Sequence, residues 1–219
     1  MSPEIINLLI KSFFETCYMV AVSTLISTLI GLPLGVILTV TRKGHILENI
    51  PLNGVLGAIV NALRSTPFII LMVAIIPITR IVVGTSIGTT AAIVPLTISA
   101  APFVARIIES ALLEIDHGVI EAAQAMGASP LQIITKVLLP EALHSIVLGV
   151  TLAIISLIGY SAMAGALGGG GLGDLAIRYG YQRFRVDIMI ATVIVLIAQV
   201  QIVQSLGNYL SKKLNKTKL

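Results

Sequence analysis

Four stretches of this chain carry no Asp, Glu, Lys or Arg: residues 16–41, 81–105, 142–173 and 188–211. Each exceeds the roughly 20 residues that cross a bilayer core at about 1.5 Å per residue. Four such windows leave few folds open. In lipid every backbone N–H and C=O must be satisfied internally, and a continuous apolar run does this as a helix. Charged residues are 11% of the 219, against about a quarter in a soluble domain, too few to coat a water-facing surface.

A fifth crossing is interrupted. Residues 49–63 and 65–79 are uncharged on either side of Arg64. Each half alone reaches about 22 Å, short of a core of about 30 Å. They are read as one span with an amphipathic entry. The expected architecture is an all-α integral membrane protein, residues 1–219 forming a single transmembrane domain. Its five spans lie at about 16–41, 55–79, 85–105, 143–167 and 188–210, with a cytoplasmic loop over 106–141.

Five spans place the two termini on opposite sides. Basic residues are retained on the cytoplasmic side. With the C-terminus inside, that side holds Arg42, Lys43, Arg64, Arg106, Lys136, Lys212, Lys213, Lys216 and Lys218. The other side holds Lys11, Arg80, Arg178, Arg183 and Arg185. Nine against five favours the N-terminus outside and the C-terminus in the cytoplasm. The basic excess thus reflects topology, not nucleic-acid binding. The N-terminus lacks a basic start running directly into a short apolar core, and Glu15 interrupts the approach. An uncleaved first span is expected.

Small residues and prolines shape the spans. Gly31 and Gly35 have the spacing that lets another helix approach closely, and Pro33 between them suggests a kink. Pro77, Pro95 and Pro102 extend the pattern to the next two spans, as in kinked helices around a pathway or in ordinary packing. The single Cys17 can form no internal disulfide and is read as a small apolar residue.

The loop at 106–141 holds five of the ten acids and carries strong local signals. Asp116 can cap a short helix. In it Val119, Ala122, Ala123 and Met126 share one face. Gly127 stands where a helix end wants positive φ. Ser129, Pro130 and Gln132 then form an S-x-x-Q capping box with proline at the first helical position. Two short helices at an angle are expected, the second running to about Leu139, with Pro140 redirecting the chain into the fourth span.

Glu121-Ala122-Ala123, then Gly127, then Val137-Leu138-Leu139-Pro140 resembles the EAA signature of binding-protein-dependent ABC importer permeases. That signature reads E-A-A, three residues, G, nine residues, I-x-L-P, and Val137 is a mild departure from its Ile. The stretches "RSTPFIILMVAIIPITRIVVGTSIG", "AAIVPLTISAAPFVARIIESALLEI" and "GYSAMAGALGGGGLG" look like the methionine importer permeases, and the resemblance covers nearly the whole chain. It implies a type I ABC importer permease fold with cytoplasmic coupling helices, in the cytoplasmic (inner) membrane. It implies a permease homodimer, two separate ABC ATPase subunits, and an extracytoplasmic methionine-binding protein or lipoprotein. By the same resemblance Glu121, Ala122, Ala123, Gly127, Leu139 and Pro140 would couple the permease to its ATPase.

Other constellations are weaker. Tyr160 and Ser161 are polar groups inside an apolar span and fit either helix packing or a pathway; the Met163 thioether suits an apolar gate or a methionine side chain. Arg64 is either an inner pathway mouth or an interfacial anchor. Gly168, Gly170 and Gly173 match a dinucleotide fingerprint by spacing but lack its strand–helix setting. No phosphate-binding G-x-x-x-x-G-K-[ST] occurs, so no cofactor is expected in this chain, and ATP and Mg would sit on the partner ATPase. His45, His117 and His144 are scattered, without metal-ligand spacing. No nucleophile–base set suggests an enzyme. A channel or ion-coupled transporter would call for acids or His in the spans, which hold essentially none. An importer of another amino acid or small solute is the alternative.

Overall fold

The computed structural model describes residues 3–214, and their regular structure is helical throughout. The basic-tail residues Lys216 and Lys218 lie outside the described residues. Helix α1 (Pro3–Val40) is 38 residues long, about 57 Å at 1.5 Å per residue. It begins well before the expected span and carries Glu4, Lys11 and Glu15 on the extension.

The second span is broken. Helices α2 (Ile50–Ser65) and α3 (Phe68–Ala74) meet at 102°, and α4 (Ile76–Val83) ends at Gly84. The segment expected as one span over about 55–79 is thus built from three helices and not one. The cause is Pro67, whose ring forces the preceding residue out of helical geometry; Thr66 sits at φ −83°, ψ 122°.

Helix α5 (Thr89–Leu113) forms the third crossing and α6 (His117–Ala125) follows it. Helix α7 (Pro130–Ala166) then runs unbroken for 37 residues. Pro140 therefore does not redirect the chain, and the expected second short helix is the first part of α7. A π-helical stretch at Ile133–Leu138 precedes the proline, and Leu139 N–H donates to the Ile134 carbonyl five residues back. This wider turn accommodates a residue without an N–H that would clash in regular helix.

After the glycine run the chain is largely helical: α8 (Gly171–Leu175) continues as a π-helical turn to Tyr181. Helix α9 (Val186–Leu214) is the last crossing.

Contacts fix the directions. Ser23, Gly31 and Gly35 of α1 meet Ile93, Ala101 and Ala105 of α5 in rising order, so these helices run parallel. Gly88 N–H donates to the Gly168 carbonyl, and Ile107 packs on Gly149, so α7 runs back. Thr151 meets Gly207, and His144 meets Ser211. One end of the bundle thus gathers residues 41–49 and 114–129 with Ser211; the other gathers Gly84–Gly88 and Gly168. The broken α2–α4 segment carries the chain between these ends, which makes five traverses.

The core has two parts. One joins Val36, Val104, Ile108 and Leu112 to Ile120, Ile133 and Leu138 at the 114–129 end. The other joins Met19, Phe68, Leu96 and Leu157 toward the opposite end.

Candidate functional site: the capped foot and the bundle cavities

The segment from Asp116 to Gln132 folds by local rules. The Asp116 side chain accepts a 2.7 Å hydrogen bond from Gly118 N–H and caps α6. At the other end Gly127 takes φ +78°. Gly127 N–H donates to the Gln124 carbonyl, and Ala128 N–H reaches back to Ala123, which is the Schellman pairing. One residue later the capping box is complete. Gln132 N–H donates to Ser129 Oγ at 3.4 Å, and Ser129 N–H donates to Gln132 Oε1 at 2.8 Å. The short link thus ties its donors and acceptors locally, so this foot is stiff without needing a deep core.

Its faces are distinct. Ile120 and Ala123 turn inward onto Leu112, Ile133 and Leu138. Glu121, Ala122 and Gln124 are exposed. Met126 is 82% and Leu131 69% exposed, large values for apolar side chains. Of the expected shared face, only Ala123 is buried; Val119, Ala122 and Met126 stay open. The seating residue missed in the sequence is Ile120, which lies three before Ala123. His117 Nδ1 lies 3.2 Å from Glu121 Oε1. Leu139 packs on the same core, and Pro140 lies in the first turn of regular α-helix after the π stretch.

The expected pathway residues fall in separate places. Tyr160 stacks on Phe68 at 4.9 Å between centroids and 9° between planes, so α7 grips α3 just past the break. Ser161 is buried and its Oγ donates to the Ile158 carbonyl at 2.7 Å. Met163 is half-exposed on another side of the helix. Arg64 ends α2, with its guanidinium 6.0 Å from the Phe103 ring centroid. It lines a cavity of about 410 Å³ with Arg106, Glu114 and Ser145 at the foot end of the bundle.

Two supporting sets were not singled out in the sequence. Arg106 pairs with Glu109 at 2.5 Å and donates to the Gly57 carbonyl and Asn61 Oδ1, which ties α2 to α5. Glu15 Oε2 accepts from Gly171 N–H, and Thr16 Oγ1 accepts from Leu172 N–H, both at 2.9 Å. They cap the start of α8, so the glycine run serves helix packing. Among the described residues no three His, Cys, Asp or Glu side chains group as metal ligands.

Residues 31–216 match the family described as binding-protein-dependent transport system inner membrane component. A Vibrio cholerae protein described as probable D-methionine transport system permease protein MetI is 59% identical over 209 residues, covering 95% of this chain and 93% of that protein. A Pasteurella multocida protein of the same description is 50% identical, covering 97% and 98%. A chain of the inward-facing MetNI methionine ABC transporter superimposes with a TM-score of 0.97 at 50% identity, covering 99% of this chain and 100% of that one. An amino acid ABC transporter crystallised with histidines shares the fold, with a TM-score of 0.78 at 20% identity over 94% of both chains.

Proposed function

The chain belongs to the family of binding-protein-dependent transport system inner membrane components, and from that premise we propose that it is the membrane-spanning subunit of an ATP-driven methionine importer. It works as a homodimer over two ABC ATPase subunits, and an extracytoplasmic binding protein delivers the methionine. The whole chain acts as one permease domain. Its N-terminus lies outside and its C-terminus in the cytoplasm, so the foot faces the ATPase.

The observation that carries the coupling role is the continuity of α7. One helix holds the capping box at its start and Tyr160 and Ser161 near its end. A push on the foot therefore reaches the Phe68 stack without crossing a flexible joint, which suits transmission between two arrangements of a bundle. Glu121 and Ala122 offer the docking surface, with Met126 and Leu131 beside them. Ala123 holds the foot to the bundle, Gly127 sets its angle, and Leu139 and Pro140 pass the motion on. Tyr160, Ser161 and Met163 act along the translocation pathway, and Arg64 at its inner mouth.

The test is reconstitution. Vesicles holding this chain, its ATPase and its binding protein should take up radiolabelled methionine only with ATP. Competition by unlabelled L-methionine, D-methionine and other amino acids defines the substrate range. Glu121→Arg and Gly127→Val should abolish ATPase co-purification or uptake. Wild-type assembly and uptake in both variants would overturn the docking assignment.

A further inference from the structure

Five buried side-chain polar atoms among the described residues have no hydrogen-bond partner, and three of them belong to one cavity. They are the hydroxyl oxygens of Thr24 and Thr28 on α1 and Oε1 of Gln199 on α9. The cavity measures about 490 Å³ and is otherwise mostly apolar, walled by Val20, Leu25, Ile154, Ile158 and Val203. Gln199 is 8% exposed, and its Nε2 donates to Cys17 Sγ at 3.5 Å. Turning the amide over does not help, because one end then meets the sulfur and the other still meets nothing. A threonine hydroxyl can rotate onto a carbonyl of its own helix; the glutamine amide has no such escape. Gln199 also stands near the middle of the charge-free run 188–211, at a depth where water is scarce. A bare amide end is costly there, and buried polar groups are normally covered.

We infer that this cavity binds an uncharged, lipid-phase alcohol, with its hydroxyl on the Gln199 amide and its apolar body along Ile154, Ile158 and Val203. A hydroxyl both donates and accepts, so it satisfies the amide whichever end is free. Thr24 and Thr28, one turn apart on α1, offer places for a second oxygen. No charged side chain lines the cavity, so an ion or zwitterion finds no counter-charge there. A plain acyl chain would cover the walls and leave the amide bare. Leu25 is exposed, which opens the site to the bilayer. Leu152, Gly159 and Met163 lie on the other side of α7 from Ile154 and Ile158 and are exposed as well. A second copy of the chain therefore has a separate face to occupy, and the alcohol enters from lipid.

The probe is 3-azioctanol, a photoactivatable eight-carbon alcohol. The full chain in lipid nanodiscs is irradiated with it, and the adducts are mapped by peptide mass spectrometry. Saturable adducts should fall on the residues that wall the cavity, on α1 between Cys17 and Thr28 and on α7 at Ile154 and Ile158. Octanol should compete about tenfold better than octane at equal concentration in the bilayer, the advantage of one buried hydrogen bond. Gln199→Leu should remove that advantage and leave the competition by octane unchanged. Gln201→Leu, two residues along α9 and outside this cavity, should keep it. If Gln199→Leu fails to fold, the comparison of octanol with octane on the native chain decides alone. Adducts spread evenly over the lipid-facing helices overturn the inference, and so does equal competition by octane, which marks an apolar crevice only. Efficient cross-linking of Cys17 between two copies by a short bismaleimide also overturns it, since a second chain would then fill the groove.

Discussion

The carbonyl oxygen of Ala105 on α5 lies 2.6 Å from the position a Cβ would take on Gly35 of α1. Ile108 Cβ stands 2.8 Å from the same point, and Gly31 one turn earlier is as close to Val104 and Ala101. The two helices therefore meet backbone to backbone, and only glycine permits it. Small-residue contacts of this kind let packing act where lipid offers no hydrophobic drive between helices.

Gly35→Ala should accordingly destabilise the protein by about 1–3 kcal/mol, the usual cost of overpacking a fitted interface. The neighbour at fault is a backbone carbonyl, which cannot swing aside as a side chain would. Gly54 is the control. It lies inside α2 with nothing within 4 Å of an added Cβ, so Gly54→Ala should stabilise by roughly 0.5–1 kcal/mol. Thermal unfolding of the detergent-solubilised chain reads both. Equal melting temperatures for the two variants would contradict the close approach.

The foot makes a different prediction, because its glycine is needed for φ and not for space. An added Cβ at Gly127 meets nothing within 4 Å, but φ is +78°. Gly127→Ala should cost about 1–2 kcal/mol, and Gly127→Asn less, since asparagine tolerates this region better. Ser129→Ala should cost about 1 kcal/mol by removing the cap, while Ser129→Thr keeps it. Hydrogen exchange at Gln132 N–H should quicken in Ser129→Ala and remain slow in Ser129→Thr.

These caps were legible in the sequence because each rests on residues two to five apart. The apolar windows were equally plain, since crossing a membrane is a matter of length and composition. The broken second span was legible in principle: Thr66-Pro67 carries the signal, but the uncharged flanks on either side of Arg64 invited reading through it. Pro140 misled in the opposite sense. It looked like a corner, but a π turn just upstream lets the helix continue. Glu15 reads in the sequence only as a charge interrupting the approach to the first apolar run. Its role became visible only in three dimensions, because Gly171 lies 156 residues away and no local pattern links them. The Arg64–Glu114 cavity depends on α2, α5 and α7 meeting, which no single stretch encodes.

Thr16 tests that long-range cap. Its Oγ1 accepts from Leu172 N–H in a fully buried setting. Thr16→Val keeps the shape and removes the acceptor, so it leaves a buried donor unsatisfied at a cost of about 1–3 kcal/mol. Thr16→Ser keeps the oxygen and should cost less. If the cap holds α8 in place, exchange at Leu172 N–H will quicken in the valine variant before the rest of the bundle responds. A valine variant as stable as wild type would show that the cap contributes nothing.

The loop between α1 and α2 should make the foot end sensitive to acid. Burial, and then the neighbouring His117, hold the His45 imidazole below its ordinary value of 6.5. Its Nδ1 accepts a 3.0 Å hydrogen bond from Ile46 N–H, and Ile46 packs on the core that seats α6. Protonation at Nδ1 would remove that acceptor and put the new charge beside His117. The sign follows from linkage. The unfolded chain binds the proton more readily than the folded one, so stability is complete above pH 6.5 and falls as pH drops through the lower folded value. Melting temperature should therefore decline as pH falls below 6.5, with exchange quickening first at Ile46 N–H. His45→Gln removes the titrating group and should flatten that part of the profile, whereas His144→Gln, at the α7–α9 contact, should leave the slope at Ile46 unchanged. An unaltered acid slope in His45→Gln would assign the sensitivity elsewhere.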